Sequence, residues 1–156
     1  SERIIIFEDA TTRGTSALYT ITVKTVSGSG VVLPIGSKSL VYSDGTNVSL
    51  GIRNKGYVTL NSSTITAYTA VDGDQIFANT TANPITVTLP ASPAVGSEVT
   101  FIDARGTFNS NNLIVNRNSQ PINTGTSNLT INTNGQAFTL VYVDATRGWA
   151  YKTNTA

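Results

Sequence analysis

The chain has 156 residues, of which 39% are hydrophobic and only 12% charged, with a formal net charge of +1. Average soluble proteins carry roughly 25% charged residues, so this surface is polar but nearly uncharged, and with no basic cluster it argues against phosphate-driven nucleic-acid binding. There is no Cys, His or Met, which excludes a disulfide framework, a thiolate metal site and a histidine general base.

In chain order, Ile4-Ile-Ile-Phe7 opens the first apolar run. It is too short for a signal core or a membrane span. A chain that begins at Ser1 without any Met reads as processed or as part of something longer. Short runs rich in Val, Ile, Thr and aromatics follow, separated by turn signals such as Asp44-Gly45, Asn54-Lys-Gly56, Asp72-Gly73 and Asn134-Gly135. No stretch carries the i, i+3, i+4 stripe of a helix, so the pattern predicts an all-β protein. The predicted strands are 3–8, 18–25, 38–43, 47–52, 57–61, 64–68, 75–78, 85–89, 98–103, 113–117, 129–132, 137–143 and 148–151. Ile85-Thr-Val-Thr-Leu89 alternates most cleanly, and Pro90 stops it.

Phe138-Thr-Leu-Val-Tyr-Val-Asp144 is the most informative strand. Its period of two puts Phe138, Leu140 and Tyr142 on one face and Thr139, Val141 and Val143 on the other. Both faces carry bulk, which predicts cover on both sides. The end of the motif occurs earlier as Leu40-Val-Tyr-Ser-Asp44, and three further blocks recur in the same order: Phe7-Glu-Asp-Ala10 with Phe101-Ile-Asp-Ala104, Arg13-Gly-Thr15 with Arg105-Gly-Thr107, and Ile21-Thr-Val23 with Leu113-Ile-Val115. This internal repeat predicts two related small β-sandwich-like units in tandem: a partial copy over 1–50, a β linker over 51–70 and a complete copy over 71–156. The second copy has extra residues at 120–129, read as one more turn or hairpin. The first copy lacks the strands that precede the second, and is expected to complete its sheet from elsewhere, for instance from a neighbouring protomer.

Candidate chemistry is sparse. Asp72-Gly-Asp74 spaces two carboxylates as a calcium pair would, but the position where an EF-hand needs Glu holds Asn83, and a turn explains the residues more simply. Asp9 with Asp103 and Asp44 with Asp144 stand at repeat-equivalent positions, which suits strand-ending Asx turns better than an acid–base pair. The sequons at Asn47, Asn61, Asn79 and Asn128 are expected by accident in so Asn- and Thr-rich a chain. Trp149 and Tyr151, with Arg147 beside them, could stack a sugar ring, although the same alternation fits a core. No catalytic, cofactor-binding or metal-binding residue is assigned.

The run Ile85-Thr-Val-Thr-Leu-Pro-Ala-Ser-Pro-Ala-Val-Gly96, then Glu98-Val-Thr-Phe-Ile-Asp103, Asn112-Leu-Ile-Val115 and Leu140-Val-Tyr-Val-Asp144, resembles the β-rich modules of bacteriophage tail-fibre and virion structural proteins. Leu40-Val-Tyr-Ser-Asp-Gly-Thr-Asn47 looks like the end of such a module, so the two copies cover most of the chain. The collagen-like Gly-X-Y tract and His-x-His iron site of some fibres are absent. The resemblance implies a non-enzymatic, homotrimeric fibre segment or tip. It would lie outside the cell on the virion, joined to other virion proteins and facing a host glycan or outer-membrane protein. The alternatives are a carbohydrate-binding β-module and a capsid decoration or baseplate adaptor. No cofactor, nucleic acid or membrane insertion is expected.

Overall fold

The computed structural model describes residues 3–8, 21–28, 30–33, 38–53 and 56–155. Their regular structure is all strand, fourteen in number, with no helix. The chain forms two compact units, Ser1–Tyr57 and Val58–Ala156.

The first unit contains β1 (Arg3–Glu8), β2 (Ile21–Val23), β3 (Val31–Leu33), β4 (Lys38–Ser43) and β5 (Val48–Arg53). β1, β4 and β5 form one antiparallel sheet, and β2 pairs with β3 in another. β3 is a strand that the alternation pattern did not isolate, because three residues are too few to show a period. Of the predicted strand 18–25, Ile21–Val23 is β2, and 18–20 lie outside the described residues, as do Asp9 and the block at 13–15.

The second unit holds β6 (Gly56–Asn61), β7 (Ala67–Thr69), β8 (Asp74–Asn79), β9 (Ile85–Thr88), β10 (Glu98–Asp103), β11 (Leu113–Asn116), β12 (Leu129–Ile131), β13 (Ala137–Asp144) and β14 (Gly148–Thr155). A five-stranded sheet runs β14-β13-β10-β8-β6 and a four-stranded sheet runs β12-β11-β9-β7. From β6 to β11 the chain alternates between the two sheets, one strand in each per pass. Neighbours from successive passes are parallel: β10 with β8, β11 with β9 and β9 with β7. Three coils are therefore wound as a short β-solenoid, and the antiparallel strands β12, β13 and β14 close it. The all-β character expected from the sequence is present, and the path through these two sheets is a winding one rather than a chain of hairpins. Residues 58–70, read from sequence as part of a linker, supply β7 and most of β6 and are built into this unit.

Each coil strand buries alternate residues. Val58 and Leu60 in β6, Ile76 and Ala78 in β8, Val99 and Phe101 in β10, Ile85 and Val87 in β9, and Leu113 and Val115 in β11 are all 0% exposed. Parallel register stacks like on like, with Ile85 beside Leu113 and Val87 beside Val115. Each such side chain contributes roughly 1.5–3 kcal/mol of burial. Phe101 stacks on Phe138 with ring centroids 4.8 Å apart, carrying this core into the closing strands.

The corners are fixed by short polar side chains. β6, β8 and β10 end on Asn61, Asn79 and Asp103, and each folds back to accept N–H groups of the turn that follows: Ser63 on Asn61 at 3.1 Å, Thr81 on Asn79 at 3.1 Å and Gly106 on Asp103 at 2.9 Å. Neighbouring coils are bonded at the same end. Ser62 Oγ, 1% exposed, accepts the Ala82 and Asn83 N–H groups at 3.0 and 3.1 Å, and the Thr80 and Thr107 hydroxyls meet at 2.8 Å. Buried polar groups with partners at this spacing cost little and fix the stacking of one coil on the next.

The closing strands of the second unit and the sheets of the first follow the same connections. β10 to β13 to β14 and β11 to β12 correspond to β1 to β4 to β5 and β2 to β3. The faces differ, however. Leu140 and Tyr142 are buried and Val141 is half-buried, whereas Val41 is buried and Leu40 and Tyr42 are half-buried. Phe101 lies opposite Phe138 but Phe7 lies opposite Ser39, a one-residue difference in register, and such a slip exchanges the faces of a strand.

Candidate functional site

Asp72 and Asp74 flank Gly73, whose φ of 91° makes the turn that an Asp-Gly-Asp sequence predicts. Asp74 is 1% exposed, and its Oδ2 accepts the Tyr68 hydroxyl at 2.8 Å and the Val71 N–H at 2.9 Å. Asp72 Oδ1 accepts the Glu98 N–H at 2.9 Å, which joins this turn to the start of β10. The two carboxylates serve different internal donors instead of converging on one ion. Among the described residues no group of three or more acidic or other ligating side chains could hold a metal.

Asp44 and Asp144 make the same local structure. Asp44 Oδ1 accepts the Thr46 and Asn47 N–H groups at 2.7 and 2.6 Å, and Asp144 Oδ1 accepts those of Thr146 and Arg147 at 2.8 and 2.7 Å. The Asn47 and Thr46 donors hold the Asp44 carboxyl below its ordinary value. Asp103 goes further than its sequence predicts. Its Oδ1 accepts Arg105, Gly106 and Thr107 N–H groups, and its Oδ2 those of Phe108 and Gly135. One carboxylate thus organises the turn after β10 and reaches across to the turn before β13.

Trp149 is 0% exposed and Tyr142 is 7% exposed, their rings meeting edge-on at 5.6 Å. Tyr151 is half-buried with its ring edge against Phe138 at 5.7 Å, and burial pushes its phenol up. A sugar ring cannot stack on an enclosed indole, so Trp149, with Tyr142, belongs to the core, while Tyr151 is only half-buried at its edge. The sequon residues Asn61 and Asn79 turn coil corners, and Asn128 Oδ1 accepts the Arg117 N–H at 3.2 Å.

The extra residues of the second copy, read from sequence as one more turn or hairpin, form two tight turns together with the residues just after Arg117. Asn118 and Ser119, then Asn123 and Thr124, take φ values of 48°, 70°, 48° and 68°. With the Gln120 N–H bonded to the Arg117 carbonyl and the Gly125 N–H to the Ile122 carbonyl, both are type I′ turns. The signal for them was the pair of Asn residues, which tolerate this backbone; glycine, the usual second residue, is missing from both. The loop clasps the last hairpin. Ile122 bridges Trp149, the Trp149 N–H reaches the Pro121 carbonyl at 2.8 Å, and the Asn123 N–H reaches the Trp149 carbonyl at 2.7 Å. Gln120 adds side-chain bonds to the Tyr142 hydroxyl at 3.1 Å and the Ala91 carbonyl at 3.3 Å.

Thr124 is exposed, so its strained φ is not offset by packing. Replacing it with glycine is expected to raise the second unit's stability by about 0.5–1 kcal/mol, a Tm gain of a few degrees in a domain of this size. A thermal melt of Thr124→Gly showing a lower Tm would contradict the turn assignment.

No protein-family model matches this chain, and no curated protein matches it significantly.

Proposed function

We propose that the chain is a structural segment of a bacteriophage tail fibre or fibre tip, homotrimeric, exposed on the virion and contributing to attachment at the host surface. The reading assigns it no catalysis. The observation that carries it is the stack of coils bonded corner to corner by Asn61, Ser62, Asn79, Thr80 and Asp103. Such a stack is stiffened by local bonds and carries 12% charged residues. That construction suits a rod that transmits load and resists proteolysis, and the polar groups that could have carried chemistry are spent on holding the backbone. The blocks that resemble phage modules fall on β9, β10, β11 and β13, which form the body of the second unit.

Within the same proposal, the two units are related copies that share the connections of their closing strands, and the partners are other virion proteins and a host glycan or outer-membrane protein. A carbohydrate module built on Trp149 has no support, because that ring is enclosed. Size-exclusion chromatography with light scattering tests the assembly: the expected mass is three times the 16.4 kDa of one chain. A stable single chain at micromolar concentration would contradict the trimer.

A further inference from the structure

We propose that Asn134 is a latent deamidation site, and that the Asp103 carboxylate keeps it shut by holding the Gly135 amide. The inference is independent of the fibre reading and concerns the chemistry of the second unit's own backbone.

Asn134-Gly135 is the one Asn-Gly pair in the chain. Both residues are exposed, so water and hydroxide reach them. The side-chain amide of an Asn can be attacked by the backbone nitrogen of the residue that follows. That nitrogen loses its proton to hydroxide and forms a bond to Cγ. The Cγ–Nδ2 bond then breaks, the departing nitrogen takes a proton from water, and ammonia leaves. Water opens the resulting succinimide at either carbonyl, which gives aspartate or isoaspartate. The sum is one water consumed and one ammonia released, with no other reactant. Glycine is the follower that hinders ring closure least, because it has no side chain. At Gly135 even an added Cβ would meet nothing within 4 Å.

The fold prepares one half of this reaction and restrains the other. Asn134 Oδ1 accepts the Asn109 N–H at 2.8 Å. That donor polarises the carbonyl under attack and meets the charge that develops on its oxygen. The nucleophile, in contrast, is held. The Gly135 N–H is donated to Asp103 Oδ2 at 2.9 Å. A proton bonded in this way is withheld from hydroxide, and the negative charge of the acceptor disfavours the amide anion that the attack requires. The next residues keep the turn against Asp103. The Gln136 carbonyl accepts the Asp103 N–H at 3.0 Å, and Ala137 is paired with Ile102.

Modification removes its own lock. An aspartate at 134 sets a second carboxylate near the first, since the two side chains take N–H groups from the adjoining residues Phe108 and Asn109. An isoaspartate lengthens the backbone by a methylene and carries Gly135 away from Oδ2. The turn before β13 then loses its tie to the end of β10.

Two measurements test the lock. In hydrogen exchange of the folded wild type, the exposed Gly135 amide should exchange at least ~tenfold more slowly than in the urea-unfolded chain. In ageing at mildly alkaline pH, peptide mapping by mass spectrometry follows Asn134. Asp103→Ala should convert at least ~tenfold faster than the wild type, with Trp149 emission reporting an intact core. Gly148→Ala is the control for stability: it loosens the same unit and leaves the Asp103–Gly135 bond in place, so its conversion rate should match that of the wild type. Unprotected exchange at Gly135 overturns the proposal, and the exchange result decides alone if Asp103→Ala does not fold. Equal conversion rates for Asp103→Ala and the wild type also overturn it. So does equal acceleration in Asp103→Ala and Gly148→Ala, since opening of the whole unit would then set the rate.

Discussion

Gly148→Ala lowers the stability of the second unit by roughly 3 kcal/mol. Gly148 has φ of 71°, in the left-handed region, where a side chain alone costs roughly 1–2 kcal/mol. A Cβ there would stand 1.8 Å from the Pro121 carbonyl oxygen and 2.4 Å from its carbon. Those are backbone atoms, so relief requires the loop to move. The same carbonyl accepts the Trp149 N–H at 2.8 Å, and moving it breaks the clasp over a tryptophan that is 0% exposed. In a domain of this size the Tm should fall by roughly 12–24 °C. Gly135→Ala is the matched control: its φ is 73°, but nothing lies within 4 Å of the added atom, so only the strain of about 1–2 kcal/mol should appear. Equal losses for the two variants would show that the loop yields freely and that the clasp contributes little.

Asp103→Asn is expected to cost about 3 kcal/mol and to flatten the acid limb of the stability curve. The carboxylate accepts five backbone N–H groups from two separate turns. An amide in its place turns a donor toward some of those N–H groups, leaving them unpaired at about 1–3 kcal/mol each. Burial raises the Asp103 pKa, but the N–H donors of Gly135, Thr107, Arg105 and Phe108 outweigh it, and the net value lies below the usual 3.8. A carboxyl depressed in the folded state stabilises fully above its unfolded pKa. That contribution is lost as pH falls through the folded value. The wild type should therefore lose stability on going below about pH 4, with a smaller loss in Asp103→Asn. Urea midpoints measured from pH 6 down to pH 2 give both curves. Parallel curves would remove Asp103 from its assigned role.

The strands were largely legible because burial on one face imposes a period of two. Glu98–Asp103 was read to the residue, and Ile85-Thr-Val-Thr ended where Pro90 requires. The stretch 64–68 was read a few residues early, because Thr64 and Ile65 spend their N–H groups on the Asn61 carbonyl in the corner turn before β7 begins. The winding path was not legible. Parallel pairing leaves its mark as a fixed repeat, but here Ala67 pairs with Thr86 while Ile85 pairs with Leu113, so the coils differ in length and no fixed period survives. The trace that remains is the Asn or Asp at the end of β6, β8 and β10, too common a residue in this chain to stand out. Trp149 could not be placed from sequence either, since alternation serves a core and a sugar platform equally, and only the distant Ile122 loop decides between them. Asp103 announced a turn but not its second oxygen, whose partner, Gly135, is far along the chain.

The central claim is that this chain forms part of a virion fibre, and electron microscopy of intact particles decorated with an antibody to the second unit tests it most directly. Label along or at the end of the tail fibres, in threefold sets, is the predicted result. Particles that carry the chain on the capsid shell or baseplate, or that take up no label, would contradict it.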